Sequence, residues 1–521
     1  MSRLVTYAPD IVGVDRIFMV VLALPADAPE MEVTHPDSIV LFDRTPLPAK
    51  QDQRRYYFRS VKPAESAEIR FSGGEYDIRV PVTIWSYDDL REFRQLKGHQ
   101  LPRRWPLGET LPSLKEGRTV YTEADIARMT GGGPGRASQW AAMSDDDIWA
   151  LQPDSTIPRW HWVNVSHGCP VHGTEIYQKK AYYPWEKDTS FPYRWKIKCP
   201  VGGEEYPSND FGAGDMTSGE FPDDGIGGAY PQGGQRYGFI AEINQAYCHE
   251  MLKVAPDCAR AYIATGDKAY LHKALVAFSR LAMEYAYLAT MTQHRHRNSQ
   301  SQVERLGPAP FSEGPSLYGA GLTVYCIDQP GYQWTHAEAY DLIFPDIDKD
   351  EEIIPFLQGK GLDVSTHEDV RRFLEENLFA VWMQAAIDGS THSNEPFHQR
   401  GMIRMAEVLN YPRGNEFMDW LYDGAGKMRI FVPNGFFRDG APYESTGGYN
   451  SMHVTALGPI VESVEHLRSM RPAVYPEDRY PSLSRSVRYR NVFDFCMDTV
   501  TIDRSFPQIG DDGSHPEYRK L

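Results

Sequence analysis

The apolar residues of this chain change their spacing once along its length. Tyr76, Ile78, Val80, Val82 and Ile84 alternate with polar or small residues, the period of a strand with one buried face. Ile69 and Phe71 precede them, with a turn expected at Gly73-Gly74. The run from Ile17 to Leu24 is apolar throughout and reads as a buried strand. From about residue 237 the spacing becomes helical. Leu271, Leu275, Phe278, Ala282, Tyr285 and Ala289 form one stripe; Leu374, Leu378, Trp382 and Ala385 form a second; Leu457, Ile460, Val461, Val464 and Leu467 form a third. The expected class is multidomain α+β.

At 521 residues, two or three domains are expected. We place an N-terminal β-sandwich-like domain at 1–95 and a Gly/Pro/aromatic-rich connecting region at 96–235. A helical domain follows at 236–510, and a polar tail at 511–521. The connecting region breaks at Gly131-Gly132-Gly133-Pro134-Gly135 and shows little periodicity. Its Trp160, Trp162, Tyr182, Tyr183, Trp185 and Trp195 suit either a sugar-stacking groove or core filling. Gly266-Asp267 reads as the turn of an αα-hairpin.

The net charge of −17 and the lack of a long basic run exclude nucleic acid as a partner. An acidic chain can still hold an anionic polymer, because salt screens distant charge within about 10 Å and leaves local arginines in control. Ile17–Leu24 is too short to span a membrane, so no membrane span is expected. Asp10 and Asp15 precede that run, so it does not read as a signal peptide.

Two segments concentrate reactive side chains. The first is Ser393-Asn394-Glu395-Pro396-Phe397-His398-Gln399-Arg400, opening an amphipathic helix. The second runs from Arg438-Asp439-Gly440 through Tyr443-Glu444-Ser445 to Tyr449 and His453. Amide, imidazole, guanidinium and phenol groups suit removal of a poorly acidic proton beside a carboxylate. Donors must neutralise the carboxylate where charge develops, and a phenol or imidazole must carry the proton. Asn394 is the candidate neutraliser, although Asn before Glu395-Pro396 also suits a helix N-cap. His398 can share the carboxylate or act as base. Tyr449 is the candidate acid/base, and His453, four residues on, would share its helix face. Arg400 and Arg438 are candidate cations, and Glu444 either orients the groove or satisfies a turn.

The two segments resemble the heparinase II/III family and its alginate-lyase relatives. Those enzymes carry an Asn before a helix, then an Asp-Gly stretch ending at the catalytic Tyr. Here that stretch is Asp439-Gly440-Ala441-Pro442-Tyr443-Glu444-Ser445-Thr446-Gly447-Gly448-Tyr449, one residue longer between the serine and the tyrosine. That leaves both Tyr449 and Tyr443 in play as the reactive phenol. The resemblance covers roughly residues 160 to 515. It implies an incomplete (α/α) toroid for the helical part, where periodicity alone equally permits an irregular bundle. It also implies β-elimination on an anionic, uronate-containing polysaccharide, outside the cell or in the periplasm. Asn394, His398, Tyr449 and His453 would then be catalytic, and Arg400, Arg438, Tyr443 and Glu444 would bind substrate. No cofactor would be required for catalysis. The family's C-terminal β-sandwich is expected to be absent, because the chain stops in the polar stretch after Gly510. A glycoside hydrolase using a carboxylate pair such as Asp224 and Glu444, or a non-catalytic glycan-binding protein, are the rival readings.

Six cysteines are too few for a disulfide scaffold. Cys169-Pro170-Val171-His172-Gly173 and Cys199-Pro200-Val201-Gly202-Gly203 look like paired metal knuckles. Gly202 stands where a fourth ligand would complete a structural zinc site, and His161, His167 or Asp210 are substitutes. A Cys169–Cys199 disulfide and two free thiols are the alternatives. Asp223-Asp224-Gly225 suits a calcium or general-acid site, or a plain polar loop. His294-Arg295-His296-Arg297 suits a solvated helix end or contact with an acidic polymer.

Overall fold

The computed structural model describes residues 4–8, 11–13, 17–43, 53–86, 124, 127–128, 134–153, 157, 168–180, 183–215, 218–223, 237–285, 328–387, 395–409, 414–424, 426–443 and 447–500. It is a mixed helix-and-sheet protein that divides into two compact units. Unit 1 comprises Met1–Pro102, Ala150–Glu250 and Glu284–Tyr325; unit 2 comprises Arg103–Trp149, Met251–Met283 and Cys326–Leu521.

Unit 1 opens with eight strands: β1 Val5–Tyr7, β2 Ile11–Gly13, β3 Ile17–Ala23, β4 Glu32–Thr34, β5 Ile39–Asp43, β6 Gln53–Ser60, β7 Ala64–Gly73 and β8 Tyr76–Trp85. They form two four-stranded sheets, ordered β1-β3-β6-β5 and β2-β8-β7-β4. All pairings are antiparallel except β2 with β8. The apolar run expected as a strand is β3, and Val20 and Leu22 are fully buried in it. Along β8, Ile78, Val80, Val82 and Ile84 point inward while Asp77, Arg79 and Pro81 are exposed and Thr83 and Trp85 half-buried, as the alternation requires. The hairpin turn is Gly74-Glu75, with Gly74 at φ +56°. A two-residue hairpin loop needs that left-handed step to match the strand twist. Residues of both sheets share one core, and the rings of Tyr56 and Phe71 meet at 4.7 Å.

The later part of unit 1 holds the short helix Glu175–Lys180 and a three-stranded sheet of two-residue strands: β9 Glu186–Lys187, β10 Ile197–Lys198 and β11 Glu205–Tyr206. Strands this short cannot display a period, which is why the region looked irregular. Trp185 packs edge-on to Tyr206 and Phe239, and Trp195 packs against Tyr193, Phe211 and Tyr247. Trp185 is buried in an aromatic core that also buries Cys169 and Cys199, and Trp195, half-buried, packs against that core. Tyr183 is exposed; Trp160, Trp162 and Tyr182 lie outside the described residues. Asp223 is buried, and its carboxylate accepts the Ile240 N–H at 3.0 Å. It caps the helix beginning at Phe239, and Asp224 and Gly225 lie outside the described residues.

The helices that matter below are α1 Asp145–Ala150, α2 Phe239–Thr265, α3 Lys268–Tyr285, α4 Gln329–Ile343, α5 His367–Leu374, α6 Phe397–Leu409, α7 Met428–Gly435, α8 Gly447–Met470 and α9 Val487–Asp498. The α2–α3 hairpin turns at Gly266, φ +71°, and the Asp267 carboxylate accepts the Ala269 N–H at 2.9 Å. The stripes Leu271/Leu275/Phe278/Ala282, Leu374/Leu378/Trp382 and Leu457/Ile460/Val464/Leu467 are all buried. In unit 2, α6 packs on both α4 and α8. A buried polar network ties α6 to α8: the Glu407 carboxylate accepts Arg404 at 2.8 Å and Ser463 at 2.7 Å, and pairs with His466. No helix among the described residues is long and apolar enough to cross a membrane.

Candidate functional site

The two reactive segments meet at the start of α6 and the start of α8. Helix α6 begins at Phe397, and the Pro396 carbonyl accepts the Arg400 N–H at 2.9 Å. It buries His398, whose ring lies edge-on to Trp420 at 6.1 Å. Gln399 is buried beside it and donates to the Gly426 carbonyl at 2.9 Å. Gly401 lets α6 approach α4 closely. A Cβ there would stand 3.0 Å from the Pro330 carbonyl oxygen and 3.1 Å from Gln333 Oε1. Asn394 lies outside the described residues.

Helix α8 carries Tyr449 in its first turn and His453 one turn later. His453 is 7% exposed and packs against Phe436 and Phe431, with ring centroids at 5.2 and 6.2 Å. Its ring is hydrogen-bonded to the main chain of Glu395, and Nδ1 has no partner among the described residues. Burial pushes its pKa down to about 4, against the Glu395 bond that raises it. His453 is therefore neutral at pH 7. A ring donating through one nitrogen keeps a lone pair on the other, so Nδ1 can accept a proton.

Three further buried groups on α8 and α4 have polar atoms without a hydrogen-bond partner among the described residues. Asn450, fully buried on α8, has neither amide atom hydrogen-bonded among the described residues. The same holds for Gln333 on α4. His336, one turn on, donates its Nδ1–H to the Tyr332 carbonyl at 2.8 Å, has no partner at Nε2 among the described residues, and is driven by burial to a pKa of about 4. An unsatisfied buried amide costs roughly 1–3 kcal/mol, so these groups differ from those of an ordinary apolar core. No motif pointed to Asn450, Gln333 or His336; only their burial makes them unusual.

Arg400 is not a free cation. Its guanidinium lies over Trp334 at 4.9 Å and Phe397 at 5.3 Å, and burial lowers its pKa despite the charge of Glu338. Arg438 is exposed, and its carbonyl accepts from Asn491 Nδ2 at 2.7 Å. That contact holds the Phe437–Ala441 turn to α9. Gly440 takes φ +93° there, and a Cβ would collide with the Asn491 carbonyl. The turn presents Phe437 and Tyr443, 57% and 76% exposed, with rings 6.4 Å apart. Glu444 and Asp224 lie outside the described residues, as do His161, His167 and His294–Arg297.

In unit 1 the Cys169, His172 and Cys199 ligand atoms lie together. The fourth member of the group is Glu204, which the spacing rules did not suggest. Asp210 is instead the cap of a short 3-10 turn, accepting the Ala213 N–H at 3.2 Å. Cys169 and Cys199 are both free thiols.

Compared with known proteins, the chain matches no family model and no curated protein.

Proposed function

We propose that this protein is a polysaccharide lyase that cleaves a uronate-containing glycan by β-elimination, using an incomplete (α/α) toroid preceded by a β-sandwich. One observation carries the reading: the His453 ring bonds to the main chain of Glu395, so the start of α6 and the start of α8 converge. The exposed Phe437/Tyr443 pair on a rigid turn adds support, since paired aromatic faces suit pyranose rings.

In this mechanism Asn394 donates to the uronate carboxylate and lowers the cost of the enolate-like dianion that forms when the C5 proton leaves. Tyr449, assisted by neutral His453, takes that proton. The C4–O bond then breaks, its electron pair leaves with the glycosidic oxygen, and a phenol returns a proton to that oxygen. No water is consumed, and the new sugar end carries a C4–C5 double bond.

The test is to incubate the protein with heparan, chondroitin, hyaluronan, alginate and ulvan and follow ultraviolet absorbance of unsaturated ends. Growth of absorbance on one of them supports the proposal. New reducing ends without that absorbance would point to hydrolysis, and binding without turnover to a glycan-binding protein; either overturns it.

A further inference from the structure

The chain repeats one five-residue loop, Cys169-Pro170-Val171-His172-Gly173 and Cys199-Pro200-Val201-Gly202-Gly203. Each loop is closed by its own main chain. Cys169 and Gly173 exchange hydrogen bonds at 2.9 and 2.8 Å, and the Gly203 N–H reaches the Cys199 carbonyl at 3.0 Å. Such knuckles turn the cysteine sulfur inward. The Gly202 and Val201 N–H groups donate to the Cys199 sulfur, and the Tyr206 hydroxyl lies 3.4 Å from the Cys169 sulfur.

His172 Nδ1 stands 3.9 Å from Cys169 Sγ, 3.6 Å from Cys199 Sγ and 3.4 Å from Glu204 Oε2. All four ligand atoms lie within 4.8 Å of one another. Tetrahedral zinc with its usual bond lengths separates sulfur from nitrogen by about 3.6 Å and nitrogen from oxygen by about 3.3 Å. The observed spacings are near those values. Glu204 Oε2 is shielded from solvent and has no hydrogen-bond partner among the described residues. An unpaired buried carboxylate oxygen facing a ring nitrogen and two sulfurs calls for a cation.

Gly202 explains why the second loop lacks the histidine of the first. A Cβ at that position would collide with the Glu204 carboxylate and with His172 Cε1. The two loops therefore supply three ligands, and the fourth comes from just beyond the second loop.

We propose that Cys169, His172, Cys199 and Glu204 form a structural zinc site. Two soft sulfurs with a nitrogen favour zinc over calcium or magnesium. Four protein ligands close the coordination sphere, so the role is to hold the fold and not to activate water. Binding displaces the two thiol protons to solvent, which makes affinity rise with pH. The physical need is plain. The strands β9, β10 and β11 have two residues each, too few to hold a sheet unaided, and the site joins the loops beside them.

The experiment is metal analysis of the purified full chain, with cobalt substitution. The expected result is zinc near one equivalent per chain, lost in Cys199→Ser. Cobalt should give thiolate charge-transfer absorption together with the visible bands of a tetrahedral ion. Because Cys199→Ser can simply misfold, Glu204→Gln provides the second arm: its side chain is partly exposed. That variant should keep its circular dichroism and its charge-transfer band, shift the visible bands and release zinc faster to a chelator. A wild-type chain that takes up no zinc from an equimolar solution, or that is isolated with Cys169 and Cys199 disulfide-linked, overturns the site. An unchanged cobalt spectrum in Glu204→Gln overturns the fourth ligand. None of these readouts depends on lyase activity.

Discussion

The knuckle of unit 1 and the helix junction of unit 2 both collect polar side chains under cover, on opposite terms. Around Cys199 the surrounding N–H groups already point at the sulfur, and four ligand atoms converge on one point. In unit 2 the buried amides of Asn450 and Gln333 have no partners among the described residues, and the His453 imidazole is held neutral. The first is shaped for a small occupant that stays. The second keeps its hydrogen-bonding capacity open, as a site must if its occupant comes and goes. On the two proposals made above, stability and function are divided: the first region would gain from being filled permanently, and the second would carry a standing cost.

The strongest way to test that contrast is Tyr449→Phe. Loss of the proton carrier should lower turnover by about 10²–10⁴-fold while the melting temperature stays near wild type. Near-normal turnover would transfer the role to Tyr443, and the Phe variant there should then be the inactive one. Next, Glu407→Ala removes the carboxylate that Arg404, Ser463 and His466 share between α6 and α8. Leaving Arg404 buried without it should cost about 3–5 kcal/mol in denaturant unfolding. A loss below 1 kcal/mol, on that same scale, would mean the helices are held by apolar packing alone.

Asn450→Leu sharpens the comparison most directly. Exchanging an unsatisfied buried amide for an apolar side chain of similar size should stabilise the protein by about 1–2 kcal/mol and reduce turnover. If it destabilises, the amide has partners in solution and the junction is an ordinary core. The smallest effect concerns His272, which stands 2.8 Å from Asp350 and 3.3 Å from Asp145, beside a cleft of about 500 Å³. Burial opposes its charge, but the Asp350 hydrogen bond and both carboxylates prevail and raise its pKa. Its stabilising contribution is therefore complete below the unfolded value of about 6.5 and fades as pH rises through the higher folded value. The stability gap between wild type and His272→Gln should shrink from pH 6 towards alkaline pH. A gap that widens would show that the pair is not ionic.

Much of the scaffold was readable in advance. The alternation at Ile78–Ile84 fixes which strand face is buried, because side chains flip with every residue and a slip by one would expose the whole set. The Leu271, Leu374 and Leu457 stripes worked for the same reason at the helical period. Gly266-Asp267 was legible because only glycine takes the left-handed step cheaply and Asp is a good cap. The aromatic segment failed the test of inspection: Trp185 and Trp195 look the same on a surface or in a core, and only their neighbours distinguish the two. Asp223 was open in the same way, since a capping carboxylate and a reactive one have identical spacing to their glycine, and its bond to the Ile240 N–H appears only in the fold.

For the candidate sites, residue identity named the chemistry but not the company. Cys169, His172 and Cys199 suggest a soft-metal donor set by type and interval, with a disulfide and free thiols as the alternatives the sequence leaves open. Glu204 has no such signature. It joins them because the second loop brings its main chain back to Cys199, where the Cys199 N–H meets the Glu204 carbonyl at 2.8 Å. Likewise His453 followed Tyr449 by helical spacing, whereas its bond to Glu395 and its suppressed charge arise from burial between α6, α7 and α8. Periodicity is a local property, carried by each segment's own residues. Desolvation and the convergence of distant atoms belong to the packed chain, and only tertiary structure could decide them.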